Sequence, residues 1–336
     1  MNMLRFISWA WRNSRYVAAG TGIRRFMQRV NFTKLAVLHR RDVAPFIEPP
    51  QGGALEAEIA LRPEIVGVIA WPYICNSWGA DRRISNVIKH YEVIDELRGR
   101  FTFSAPSSFE LLDLNDLLPG LHIIVDRPQW FIREGQLAIN LFSYQDRIFS
   151  LAFSLGVEAD ERVAYIGAIQ GVQRDGMLEK YKEFTKILFG MRPRDFLIEV
   201  FRMLVQSLGV VRILAVRDAS RHHRSSFFNA SKAELLLANY DEVWIERGGV
   251  PHGDDFFCLR VNPTLKNIDD VPSKKRTMYR RRYEMLATLS SRLRAGITGT
   301  HNGSARAATP NGTFPSVPPS DRASADNSET RPVSDK

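Results

Sequence analysis

The sequence predicts an α+β fold with a mixed, largely antiparallel sheet and flanking helices. Three observations carry this reading. Leu137, Ile139 and Leu141 alternate with Ala138 and Asn140, and a more continuous apolar run, 148–155, follows a turn at Gln145–Asp146. That is a hairpin, and the run 163–169 adds a third strand to make an antiparallel meander. Helical stretches at 176–189 and 194–208 then lead through Gly209 into the buried-type strand 210–216. Strands, then helices, then further strands at 239–245 and 256–261 make the α+β order.

The remaining elements fall around this centre. Residues 1–40 form a basic amphipathic helical segment, with Leu4, Ile7 and Trp11 on one face and Arg5, Arg12 and Arg15 between them. Such a helix either lies on a membrane surface, where Trp9 and Trp11 suit the interface, or packs on the body of the protein. Residues 41–64 gather Pro and Gly and read as a linker. A single globular domain is expected over 65–295. It opens with a short strand, 65–73, and a helix over 82–98 capped by Asp81. It closes with a basic helix over 273–294. Residues 296–336 are rich in Ser, Thr, Pro and Ala, with one aromatic, and should form a disordered tail.

Composition narrows the function. The chain has 336 residues, of which 44% are apolar and 25% charged, ordinary values for a globular protein. No run approaches the roughly 20 apolar residues of a transmembrane helix. The arginines at the N-terminus leave no secretory apolar region. Two unpatterned cysteines, Cys75 and Cys258, suit a reducing cytoplasm and supply no metal site. The net charge is +9, and the charges of the tail cancel. The excess therefore lies elsewhere and favours phosphate-rich partners. No GxGxxG, P-loop, GxSxG or HExxH occurs.

The leading site candidate is the stretch 163–194, where a strand meets Gly167, Gly171 and Gly176 and then a helix. Such a junction presents backbone N–H groups to an anion. The order of elements resembles the acyl-CoA-dependent N-acyltransferase fold, in which this loop holds the pyrophosphate of coenzyme A. The family pattern is Gln or Arg, two residues, Gly, one residue, then Gly or Ala. Gln173, Arg174 and Gly176 match its first half, and Leu178 stands where the second small residue belongs. The resemblance implies acyl-CoA as cofactor, bound by Gln170, Gly171, Gln173, Arg174 and Gly176.

Two catalytic bases suggest themselves. His222 follows the strand 210–216, four residues after Asp218, among Arg217, Arg221, Arg224 and Lys232. Glu242 shares a strand face with Tyr240 and Trp244, where large rings would raise a carboxylate pKa. A solvated loop and an edge strand are the plainer readings of the two. Lys274, Lys275, Arg276, Arg280, Arg281 and Arg282 form the densest positive cluster, suited to lipid headgroups or to ion pairing. No helix-turn-helix, zinc finger or RNP motif accompanies it, so sequence-specific nucleic-acid binding is not expected.

Five segments, in order over about 80–290, resemble the bacterial VirK/YbjX family. They are His90-Tyr91; Ile166 to Gly171; Gly190-Met191-Arg192-Pro193; Tyr240 to Trp244 with Gly248-Gly249; and Ser273 to Arg276 with Tyr279 to Tyr283. The resemblance implies a cytoplasmic, virulence-associated protein that supports the cell envelope and tolerance of antimicrobial peptides. It implies no particular reaction. The expected function is envelope support with an acyl-CoA-type site. The alternatives are a non-enzymatic regulator or adaptor, and a peripheral protein of the anionic inner membrane bound through 1–30 and 274–282.

Overall fold

Among the residues that the computed structural model describes (2–99, 108–225, 227–228, 239–263 and 265–299), eight strands form one sheet. They are β1 (Phe109–Asp113), β2 (Leu121–Asp126), β3 (Leu137–Ser143), β4 (Asp146–Glu158), β5 (Glu161–Gly171), β6 (Arg212–Val216), β7 (Val250–His252) and β8 (Phe256–Arg260). The order is β1-β2-β3-β4-β5-β6-β8-β7. Every neighbouring pair is antiparallel except β5 and β6. The α+β architecture, the meander β3-β4-β5 and the strand β6 follow the sequence reading.

Nine α-helices surround the sheet among the described residues: α1 (Met3–Asn13), α2 (Ile23–Leu38), α3 (Arg40–Ile47), α4 (Ala54–Leu61), α5 (Ala80–Glu96), α6 (Met177–Ile187), α7 (Pro193–Ser207), α8 (Tyr240–Glu246) and α9 (Ser273–Gly299). Helix α7 begins with Pro193, whose fixed φ suits the first turn. It ends where Gly209, at φ +75°, lets Val210 N–H return to the Val205 carbonyl. Adjacent residues of a strand face opposite ways, so β4 shows what covers each side. Phe153 meets Phe201 of α7 edge-to-face at 4.9 Å. On the other side, Ser154 accepts a hydrogen bond from the Tyr73 hydroxyl, and Leu155 N–H donates to His90 of α5. Phe6, Ala10, Phe32 and Ala36 of α1 and α2 are buried in the same hydrophobic core as the sheet.

Three segments differ from expectation. Residues 65–73, read as a strand, hold a 3-10 helix over Pro63–Ile69. A short, wholly buried apolar run has no solvent face, so its period cannot separate strand from helix. Residues 41–64, read as a linker, form α3 and α4. Glu58 of α4 is fully buried and bridges the guanidinium groups of Arg62 and Arg127, which ties this stretch to the end of β2. Residues 239–245, read as a strand, form α8, with the Asn239 side chain capping the Asp241 N–H. Tyr240 and Trp244 therefore share a face as i and i+4, with rings 5.7 Å apart. Strands β1, β2 and β7 were not expected from the sequence. Residues 300–336, most of the expected tail, and Lys232 lie outside the described residues.

One contact admits no side chain. A Cβ on Gly167 would lie 2.0 Å from the Glu134 carbonyl oxygen. Gly167→Ala should therefore cost about 1–3 kcal/mol in urea unfolding, as overpacking does. Gly296, exposed within α9 and clear of neighbours, is the control. Gly296→Ala should gain about 1 kcal/mol from helix propensity alone. Equal stabilities for wild type and Gly167→Ala would remove the close approach.

Burial, with Arg127 and Arg62 nearby, holds the His90 imidazole well below its ordinary pKa. The unfolded chain then takes up the proton first. The resulting stabilisation is complete above about pH 6.5 and is lost as pH falls below it, by up to about 1.4 kcal/mol per pH unit. His90→Gln should show a shallower decline between about pH 6.5 and 5. Parallel stability curves would mean that His90 is charged in the folded protein.

Candidate active site

Strands β5 and β6 run parallel over Val163–Ile166 and Arg212–Ala215 and then part. The parting coincides with a bulge. Ala152 faces Ala168 and Phe153 faces Ile166, so Gly167 is the extra residue of β5. The turn before β3 crosses the sheet here. A Cβ on Gly135 would collide with the Phe153 backbone, as one on Gly167 would with that of Glu134. These close approaches place the buried Glu134 side chain over the opening.

The chain leaving β6 brings two histidines to Glu134. Its course is pinned to residues 73–77. Asn76 N–H donates to the Ser220 carbonyl, and Ser77 and Ser220 both donate to the Asp255 carboxylate. Two 3-10 turns, Asp218–Ser220 and His222–Arg224, then deliver the rings. His223 Nε2 lies 3.0 Å from Glu134 Oε1 and His222 Nδ1 lies 3.9 Å from the same atom. The imidazole centroids are 3.7 Å apart, and the Phe228 ring meets both. Arg133 stacks over Trp71, Phe227 and Phe228.

The two histidines are not equivalent. His222 is buried, and its Nδ1 has no hydrogen-bond partner among the described residues. Burial, then His223, Arg133 and Arg221, holds its pKa well below the imidazole range. It is therefore neutral near pH 7. His223 is half-buried and reaches solvent. Its Nε2 faces the Glu134 carboxylate at 3.0 Å. The same three side chains offer one carboxylate and two imidazole ligand atoms within 4.8 Å of one another, a set that could hold a metal ion. The sequence spacing showed no third ligand, and Glu134 supplies it from 88 residues away.

Tyr240 closes the opening further along. Its hydroxyl accepts from Ile169 N–H and donates to the Ile169 carbonyl, on the edge of β5 that β6 has left. Burial pushes this phenol up to about 12. Arg221 lies 3.8 Å from the ring centroid.

The expected site residues separate into groups. His222 is at the centre, but its carboxylate partner is Glu134, because Asp218 pairs with Arg221 and Arg224. Glu242 is exposed and accepts from the Asn239 side chain, on the side of α8 opposite the buried rings. The ring-lined surroundings expected of it are therefore not around it. Gln170 and Gly171 are not in a loop. They pair with Ser150 and Phe149, because β5 runs through to Gly171. Gln173, Arg174 and Gly176 are exposed in the connection to α6, and Gly176, at φ +78°, is the residue before its first turn. Arg174 lies 2.8 Å from Asp146, which Lys180 also meets, and the Arg174 hydrogen bond holds that carboxyl below its ordinary pKa. Leu178 is exposed.

The positive cluster at the start of α9 divides in the same way. Lys274, Lys275, Arg280 and Arg281 are exposed. Arg276 donates to the Val271 and Asp269 carbonyls, and Arg282 donates to the Phe189 carbonyl. Those two hold α9 against the body. Among the described residues, no helix is long and apolar enough to cross a membrane. Sequence reasoning missed Glu134, the weight of His223 and the position of Tyr240. Nothing in the local pattern around Glu134 marks it, since its role arises only where chain segments meet.

No solved structure matches the chain. Two proteins of Haemophilus influenzae, both described as uncharacterized, are similar to it. One is 27% identical over 210 residues, covering 62% of this chain and 69% of its own length. The other is 34% identical over 189 residues, covering 56% and 61%. The uncharacterized protein YbjX of Escherichia coli K12 is 29% identical over 149 residues, 44% of this chain and 45% of that protein. The matches thus span less than two thirds of the second and third relatives. The match to YbjX agrees with the VirK/YbjX motifs, and the profile of the family described as "Protein of unknown function (DUF535)" matches residues 21–295, most of the chain, so the protein belongs to this family.

Proposed function

We propose that the protein is an acyl-group transferase that uses coenzyme A thioesters, acting in the cytoplasm on a component of the bacterial cell envelope. The observation that carries this reading is a carboxylate-oriented histidine at the point where the single parallel strand pair parts. The strand order supports it. It holds an antiparallel meander, a helical crossover, one parallel strand and a reversed closing pair. The envelope and virulence roles rest on the family resemblance.

The chemistry assigned to the residues is general-base catalysis. In this reading the Glu134 carboxylate, 3.0 Å from His223 Nε2, orients the ring, and Nδ1 takes the proton of an incoming amine or hydroxyl. The freed nucleophile attacks the thioester carbonyl, the C–S bond breaks, and the proton held at Nδ1 passes to the sulfur, so that coenzyme A leaves as its thiol. His222 stays neutral and packs the imidazole pair. At the other end of β5, roughly 13 Å from Gly167 by strand rise, the 173–176 connection would meet the phosphates. Arg174 would share its charge between them and Asp146. A ligand chain lying between β5 and β6 needs the Tyr240 hydroxyl to give way at Ile169.

Thermal melting with acetyl-CoA and longer acyl-CoA esters tests binding. Saturation at about 100 times Kd should stabilise the protein by about 2.7 kcal/mol, read as a rise of several degrees. The rise should shrink in Arg174→Glu. An unchanged melting temperature at millimolar ester would leave the adaptor reading in its place. For catalysis, His223→Gln should lower the rate of thiol release by about 10²-fold or more with the melting temperature held within a few degrees. Retained activity in that variant would remove the base from the mechanism.

A further inference from the structure

The chain carries 46 Lys and Arg against 37 Asp and Glu, a net charge of +9. Residues 1–41 contain nine Lys and Arg and no Asp or Glu, so the remaining 295 residues hold 37 of each sign. The whole excess therefore sits on α1, α2, the 3-10 turn Ser14–Tyr16 between them and the first turn of α3. A molecule that must remain dispersed in water has no need to gather its excess charge on two helices.

The same two helices display an apolar face. Their inner side packs Phe6, Ala10, Phe32 and Ala36 into the core. On α1, Leu4, Ile7 and Trp11 point outward, with Leu4 79% exposed. On α2, Ile23, Phe26, Met27 and Val30 do the same, with Ile23 78% exposed. Trp11 and Phe26 touch edge-to-face at 5.9 Å, which joins the two stripes into one patch. Arg29 stacks on Trp11 at 4.5 Å, while Arg5, Arg12, Arg24 and Arg25 are exposed around the patch. Large apolar patches with a charged rim mark interaction surfaces.

We infer that this face docks on an anionic phospholipid bilayer, with the apolar side chains in the acyl boundary and the arginines at the phosphates. The combination selects the occupant. A second copy of the chain would set nine positive charges against nine. A nucleic acid would meet the arginines but leave Leu4 and Ile23 without a use. A bilayer surface takes both, and Trp11 suits its polar–apolar boundary. The docking is peripheral and does not depend on the acyl-transfer reading.

The test is sedimentation of the full-length protein with vesicles. With roughly 7:3 phosphatidylcholine and phosphatidylglycerol most of the protein should pellet, and with phosphatidylcholine alone little should. Raising salt to about 0.5 M should weaken binding about ten-fold or more. Leu4→Asp with Phe26→Asp changes exposed side chains only, and it should weaken binding about ten-fold with the circular dichroism spectrum unchanged. Arg24→Gln with Arg25→Gln should weaken it in anionic vesicles alone. Equal pelleting with both vesicle types, no pelleting with either, or wild-type binding by the Asp variant would overturn the inference. A dimer in light scattering that the Asp variant dissolves would assign the face to a second copy and overturn it as well.

Discussion

The approach of the Glu134 backbone to Gly167 is the contact on which the centre of this molecule depends. With no side chain at 167, the turn before β3 can lie directly across the sheet. The extra residue in β5 follows from the same place, and so does the separation of β5 from β6, since a bulged strand bends and twists away from its neighbour. The carbonyl of Arg133, one residue earlier, accepts the N–H of Ile74. That bond brings in the segment 73–77, against which the histidine loop is laid. One missing methyl group thus positions the carboxylate, the strand opening and the loop that faces it.

Electrostatics at this centre are set by occupancy. Arg221 is held by Asp218 and the Tyr240 ring, Arg224 by Asp218, and Arg133 lies over three aromatic rings. Glu134 faces the two imidazoles. One imidazole is buried and stays neutral, and the other is half-buried. Burial penalises charge on His222 and so keeps its ring neutral. Tyr240 satisfies a strand edge that would otherwise lose both its donor and its acceptor at Ile169.

Charge is distributed as unevenly as chemistry. The body beyond residue 41 is balanced in sign, and most of its buried charges are paired, with Glu58 between Arg62 and Arg127 as the deepest case. A buried pair of that kind organises a fold more than it strengthens it, because desolvation offsets most of the attraction. The first two helices follow a different rule. One side of each helix packs into the core, and the other presents rings and guanidinium groups outward. A helix built in that way serves two surfaces at once.

The sequence by itself determined the α+β class, the meander, the crossover helices and strand β6, because period, length and turn residues act locally. It also determined the basic amphipathic character of the N-terminal helices. It did not determine the state of 65–73 or 239–245. A buried apolar run carries no period to read, and the Tyr240–Trp244 spacing is consistent with a shared strand face as well as a helical one. The 41–64 stretch misled because Pro and Gly mark turns between its helices as readily as they mark a linker. Only the tertiary structure could bring Glu134 to His223 or Tyr240 to Ile169. Those partners are separated by 89 and 71 residues, and what unites them is the packing of backbone against backbone at a glycine, which no local pattern encodes.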